Sequence, residues 1–145
     1  MSKAMLLVTI QFIILGLMAL AFALLPQAGT GLARILGAVM IVAGLGVVLG
    51  AVYEHQRVGK RLPNVAPVPG EGGTLITSGL YTHVRHPIYT CVLLAAYGAA
   101  VFQGEIMTLL LAIALTVLFD IKSRYEESLL KTAFAGYAQY MMRTG

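Results

Sequence analysis

Two long apolar runs in the first third of the chain constrain what it can fold into. From Ala4 to Leu25 only Thr9 and Gln11 interrupt hydrophobic or small residues. Wound as a helix at 1.5 Å per residue, that run is about 33 Å long, enough for the ~30 Å hydrocarbon core of a bilayer. A second run of similar length goes from Gly31 to Tyr53. Two more, Pro87 to Phe102 and Ile106 to Ile121, would each make roughly 24 Å of helix, so their polar ends should sit inside the interface. Hydrocarbon offers the backbone no hydrogen-bond partners, which leaves helices as the natural solution for such runs. The expectation is an all-α polytopic membrane protein: one domain over 1–145, about four spans (4–25, 31–53, 87–102, 106–121), a polar loop over 54–86 and a C-terminal helical extension over 120–142.

Composition agrees. Hydrophobic residues make up 59% of the chain and charged ones 11%, less than half the ~25% usual for a soluble domain. The formal charge of +4 invites a nucleic-acid reading, but the basic residues are distributed like topology signals. Lys3, Arg57, Lys60, Arg61, Arg85, Lys122, Arg124, Lys131 and Arg143 fall on one side of the predicted spans, and Arg34 on the other. By the positive-inside rule both termini are cytoplasmic and the bilayer, not nucleic acid, is the partner. The lone Cys91 excludes an internal disulfide and clusters built on several thiolates; its place one turn into the third span suits packing. Ala21-Phe22-Ala23 resembles a signal-peptide cleavage site, but the apolar stretch exceeds the usual h-region, so it reads as a span. In the second span Gly46 and Gly50 form a small-xxx-small pair that predicts close packing on another helix.

The connections on the non-cytoplasmic side, around Pro26–Thr30 and Gln103–Glu105, are too short for a site, which sends the chemistry to the cytoplasmic side. There the 54–86 loop is broken by Pro63, Pro67, Pro69, Gly70, Gly72 and Gly73, with Thr74–Thr77 as a possible extended piece. It ends in Gly79-Leu80-Tyr81-Thr82-His83-Val84-Arg85-His86-Pro87-Ile88-Tyr89, with two imidazoles, a guanidinium and two phenols at the mouth of a span. Pro87 suits a first helical position and disfavours the α conformation at His86. Free amides at that helix start suit a carboxylate. The plain alternative is an interfacial belt of tyrosine and arginine.

The last span runs on into a second polar segment. At 100° per residue Asp120, Arg124, Glu127 and Lys131 share one face as an ion-pair ladder. Glu126 instead falls in the stripe of Leu130, Ala133, Phe134, Tyr137 and Met141. A carboxylate in such a stripe is costly without a partner, for which Arg85 or a bound cation qualifies. Glu127 divides between a structural pair with Arg124 or Lys131 and a functional role. His83 and His86 allow a haem or metal carrier as a competing reading, but His55 is the one other histidine and no carboxylate lies between them, so no metal site is assigned.

The runs TSGLYTHVRHPIY and RYEESLLKTAFAGYAQY, in that order and separated by a span pair, resemble the isoprenylcysteine carboxyl methyltransferases and phospholipid N-methyltransferases. The resemblance covers roughly Gly72 to Tyr140, while the first two spans match in hydrophobicity alone. The sequence departs from the pattern at Cys91, where members usually have glycine, and in carrying no Val-Pro segment before Gly145. The resemblance implies methyl transfer from S-adenosylmethionine to a lipidic or small hydrophobic acceptor at the inner interface: prenylcysteine carboxylate, phospholipid amine or small thiol. It implies catalytic roles for Arg85, Glu126 and Glu127, and a cofactor pocket from Tyr81, His83, His86, Pro87, Tyr89, Tyr137 and the two glutamates. Carboxylates and aromatic faces suit a sulfonium, and Arg85 with the Pro87 amides suits the cofactor's carboxylate. A noncatalytic four-helix scaffold is the alternative from another class.

Overall fold

A computed structural model describes residues 2–60 and 74–145. Arg61, Glu71 and the loop's cluster of prolines and glycines from Pro63 to Gly73 lie outside the described residues, as does the start of the resemblance at Gly72. The rest is helical: α1 (Lys3–Leu24), α2 (Gly31–Glu54), α3 (Pro87–Gln103), α4 (Ile106–Ala133) and the short α5 (Tyr137–Met141), with a π-helical turn His55–Gly59 and a 3₁₀ turn Gly79–Thr82. Among the described residues there is no strand, and Thr74–Thr77 pairs with nothing as a sheet. Side-chain oxygens start the first two helices, Ser2 Oγ accepting from Met5 N and Thr30 Oγ1 from Ala33 N, both at 3.3 Å, while Pro87 opens α3.

Three helical stretches are long and apolar enough to cross a membrane, Lys3–Leu24, Gly31–Gly59 and Ile106–Ala133, and α3 is a shorter apolar helix. Large apolar side chains such as Phe12, Ile13, Leu36, Val42, Leu110 and Val117 are exposed on the outside of the bundle, the surface that lipid would cover.

Two sequence expectations are corrected. The segment over 120–142 is not one helix, because α4 runs through Ala133 and breaks at Phe134 (φ −129°, ψ 112°). After Gly136 the chain resumes as α5. The break lets Tyr137 and Tyr140 fold back and become buried, and Tyr140 Oη donates to Tyr81 O at 2.6 Å, which offsets the lost helical turn. Phe134, Tyr137 and Met141 therefore do not continue the face of Glu126. The close glycine contact is also elsewhere than predicted. A Cβ on Gly46 would meet nothing, and one on Gly50 would meet the Leu80 side chain. The α2–α3 crossing rests on Gly37, Gly44 and Gly98: a Cβ on Gly98 would sit 2.8 Å from Gly37 O, and one on Gly44 2.8 Å from Cys91 O.

At one end of the bundle Gln103 Nε2 donates to Ala21 O (3.1 Å) and Leu25 O (3.3 Å), and Gly29 N donates to Gln103 O (2.8 Å). Those bonds tie the end of α1 and the α1–α2 turn to α3, and Arg34 reaches Gln27 O beside them. At the other end Lys3 Nζ lies 4.8 Å from the centre of the Tyr125 ring, and Arg85 N donates to Gly145 O. Both termini therefore sit at the end that holds Arg85. α1 packs on α4, and α2 on α3. Between them lies an open apolar groove of about 660 Å³, lined from Phe22 and Met18 through Ile41 to Val48, Cys91 and Val92.

Candidate active site

The end of the bundle that carries the termini gathers the chemistry. Pro87 holds His86 outside the helix at φ −124°, ψ 64°, as the residue before proline prefers to be non-helical. That conformation turns the imidazole from the mouth of α3 onto the adjacent glutamates of α4. Its Nε2 lies 3.2 Å from Glu127 Oε1 and its Nδ1 3.4 Å from Glu126 Oε2. A neutral imidazole can donate to one of these and an imidazolium to both. Arg85 Nε approaches the same Glu127 Oε1 at 3.1 Å, and its Nη1 donates to Met141 O at 3.3 Å. Tyr89, in the first turn of α3, donates its hydroxyl to Glu126 Oε2 at 2.7 Å. The Tyr89 ring is stacked between His86 (5.2 Å, 4°) and Phe119 (4.6 Å, 6°).

Both glutamates thus point toward α3, which divides the predicted ladder. Asp120 and Arg124 do pair, at 2.9 Å, but at 57% and 76% exposure they form a solvated surface bridge. Glu127, expected beside them, belongs to Arg85 and His86. Arg85, offered as a partner for Glu126, goes to Glu127, and Glu126 takes Tyr89 and His86. The side-chain directions decide this: α3 crosses α4 at the position where residues 126 and 127 both reach across.

The remaining predicted residues separate into two groups. Tyr81 and Tyr137 are buried, and burial above all pushes both phenols above the ordinary tyrosine range, helped at Tyr81 by Tyr140 and then by Glu126 and Glu54, so both are neutral at physiological pH. For Tyr137 the nearby charges are Glu127 and Glu126, opposed by Arg85. Pro87 is buried as the first residue of α3. His83 is exposed and joins no side-chain hydrogen bond with the described residues, so the two histidines of the motif do not converge. Among the described residues no group of three or more His, Cys, Asp or Glu is arranged to hold a metal ion.

Sequence reasoning missed four residues around this cluster. His55 continues α2 as part of the π-helical turn, and its Nδ1 lies 3.0 Å from Tyr81 Oη. Tyr140 fixes the Tyr81 backbone, as above. Glu54, at the end of α2, accepts from Ser78 Oγ and Arg57 Nη2, each at 2.9 Å. Its carboxylate occupies the space where a side chain on Gly79 (φ 59°) would be, so glycine is needed there for conformation and room alike. Lys122, read as a topology charge, is buried with Gln11. Apart from the Glu54–Arg57 pair three positions apart, the partners lie 24 to 111 positions apart, so no periodicity in the sequence could have paired those.

The fold and this cluster define an all-helical membrane protein with a charged, partly enclosed site at one end. The family model described as phospholipid methyltransferase matches residues 32–136, most of the chain, and the chain belongs to that family of membrane methyltransferases. The matched segment contains Arg85, His86, Tyr89, Glu126 and Glu127 but ends before Tyr137, Tyr140 and Met141 and begins after Gln11. The cobalt-zinc-cadmium resistance protein CzcN of Cupriavidus metallidurans is similar, 37% identical over 75 residues that cover 51% of this chain and 35% of the relative. The chain therefore spans about a third of that relative's length. No solved structure matches the chain.

Proposed function

We propose that the chain transfers a methyl group from S-adenosylmethionine to an acceptor carried in the membrane, in the manner of the isoprenylcysteine carboxyl methyltransferases. One observation carries this reading: two adjacent carboxylates, Glu126 and Glu127, are held by His86, Arg85 and Tyr89 at one end of an apolar bundle. Partly buried carboxylates at the end of an apolar bundle are costly unless they meet a cation, and a sulfonium is such a cation. The donor set therefore fits the cofactor. When bound, S-adenosylmethionine supplies a methyl group activated by positive sulfur.

The chain's own part is alignment more than proton chemistry, because an in-line displacement depends chiefly on holding the reacting atoms in register. Glu126 and Glu127 would offset the cofactor's positive charge, while Arg85 would orient a carboxylate acceptor, which needs no base. His86 and Tyr89 keep the glutamates in place. The open groove between α1, α2 and α3 supports an acceptor with an apolar body, since its Val92 wall is three residues from Tyr89 on the same helix, about one turn. The family match to phospholipid methyltransferases favours an amine acceptor as the second reading, and a small thiol would use the same geometry. Either would need a proton taken up, for which His86 or a glutamate is the available base. On this reading the site faces the cytoplasm, as the positive-inside charges require.

The test is transfer of labelled methyl from S-adenosylmethionine to three acceptor classes: prenylcysteine analogues, aminophospholipids and small thiols. The expected result is methylation of prenylcysteine analogues. Methylation confined to aminophospholipids or thiols would replace the acceptor assignment. Absence of S-adenosylmethionine binding at millimolar concentration would leave a noncatalytic scaffold.

A further inference from the structure

The family match begins at Leu32 and leaves out α1, yet α1 brings one side chain to the edge of the site. Gln11 Oε1 accepts a hydrogen bond from Lys122 Nζ, and both residues are buried, at 7% and 1% exposure. The same ammonium lies 5.0 Å from the centre of the Tyr89 ring and 5.8 Å from that of Phe119. Tyr89 is the residue whose hydroxyl donates to Glu126 at 2.7 Å. A lysine sealed among apolar helices loses much of its hydration, which makes its remaining contacts strong and hard to exchange. A cation beside a phenol ring also draws electron density from it, and so strengthens the O–H as a donor.

We propose that Lys122, anchored by Gln11, is a positioning residue: acting through the Tyr89 ring, it sets the Glu126 carboxylate for the positively charged sulfur of the cofactor. Gln11 makes α1 a working part of the site although it stands outside the matched segment. The inference rests on the methyltransferase reading, and its consequences differ from those of simple packing. Lys122 contributes through Tyr89, so its loss should count for little once the Tyr89 hydroxyl is gone. It serves a carboxylate aimed at charge, so ligands with and without the sulfonium should respond differently.

A double-mutant cycle on the full chain in detergent micelles tests this. Lys122→Met, Tyr89→Phe and the double variant are titrated calorimetrically with S-adenosylmethionine and with its uncharged thioether product, S-adenosylhomocysteine. Each single change is expected to weaken S-adenosylmethionine binding about tenfold, the loss of one strong hydrogen bond. The double variant should lose little more than the worse single one. S-adenosylhomocysteine should change less than about threefold. Losses that multiply to about a hundredfold, equal losses for both ligands, or no loss in Lys122→Met would overturn the inference. Should Lys122→Met not fold, Gln11→Leu replaces it in the same cycle and is judged by the same coupling with Tyr89→Phe. A wild type that binds neither ligand would overturn the methyltransferase reading and the inference with it; binding with multiplicative losses overturns the inference alone.

Discussion

Glu127→Gln separates a site from a surface ladder more sharply than any other single change. Glu127 Oε1 is shared by Arg85 Nε at 3.1 Å and His86 Nε2 at 3.2 Å, with the carboxylate side chain 14% and the Arg85 side chain 25% exposed. Hydrogen bonds to charged groups contribute about 1.5–3 kcal/mol each. The glutamine keeps an oxygen toward Arg85 but loses the charge, and the exposed part of Arg85 recovers some hydration. We therefore take a net loss of about 2 kcal/mol, or about 30-fold in cofactor affinity at 1.4 kcal/mol per factor of ten. Asp120→Asn is the control: the Asp120–Arg124 bridge at 2.9 Å is solvated on both sides, and such pairs contribute about 0–1 kcal/mol. The assay is calorimetric titration of both variants with S-adenosylmethionine, with melting temperatures recorded beside it. Glu127→Gln binding within about threefold of wild type, or Asp120→Asn losing as much, would return Glu127 to the surface ladder and refute the assignment.

Arg85→Lys should lower methyl transfer at least tenfold, because one ammonium cannot reach both Glu127 Oε1 and Met141 O with the fixed fork of a guanidinium; full turnover would remove Arg85 from the site. Tyr140→Phe should cost about 1 kcal/mol, since it leaves the buried Tyr81 carbonyl without its 2.6 Å donor. Faster hydrogen exchange confined to α5 and the 79–82 turn would report it, and unchanged exchange would count against that contact. Gly98→Ala should destabilise the bundle by about 1–3 kcal/mol, because the new Cβ would meet backbone atoms, Gly37 O at 2.8 Å and Ile41 N at 3.1 Å. An unaltered melting temperature would show that α2 and α3 have room to part. The raised phenols of Tyr81 and Tyr137 predict stability that is complete below the ordinary tyrosine pKa of about 10 and falls as pH rises toward their folded values. A circular-dichroism titration that is flat well above pH 10 would contradict this.

Much of the fold was legible because the bilayer imposes it. Runs the length of α1 and α2 have no other economical way to satisfy their backbone, and Pro87 marks the start of α3 through a constraint within the residue itself. Other features were misread for an equally physical reason. The angular projection of α4 placed Glu126 inward and Glu127 outward, yet both reach α3, since a helix face is defined by its neighbour and not by periodicity alone. The glycine pair expected to pack, Gly46 and Gly50, had the right spacing, but Gly37 and Gly44 are the residues that face α3. The helical period also carried the last segment past Phe134, where burying Tyr137 and Tyr140 outweighed continuing the helix.

By itself the sequence determined that the chain is a helical membrane protein, where its helices begin, which end carries charge and which two motifs hold the polar side chains that cluster there. Those are properties of contiguous residues, governed by hydration of the backbone, by proline geometry and by charge. Only the tertiary structure decided that His86 bridges Glu126 and Glu127, that Arg85 serves Glu127, and that Gln11 reaches Lys122 across 111 positions. These pairings depend on how helices cross and which way side chains lean. A polar group inside an apolar bundle takes the partner that packing brings within hydrogen-bond reach, whatever its distance along the chain.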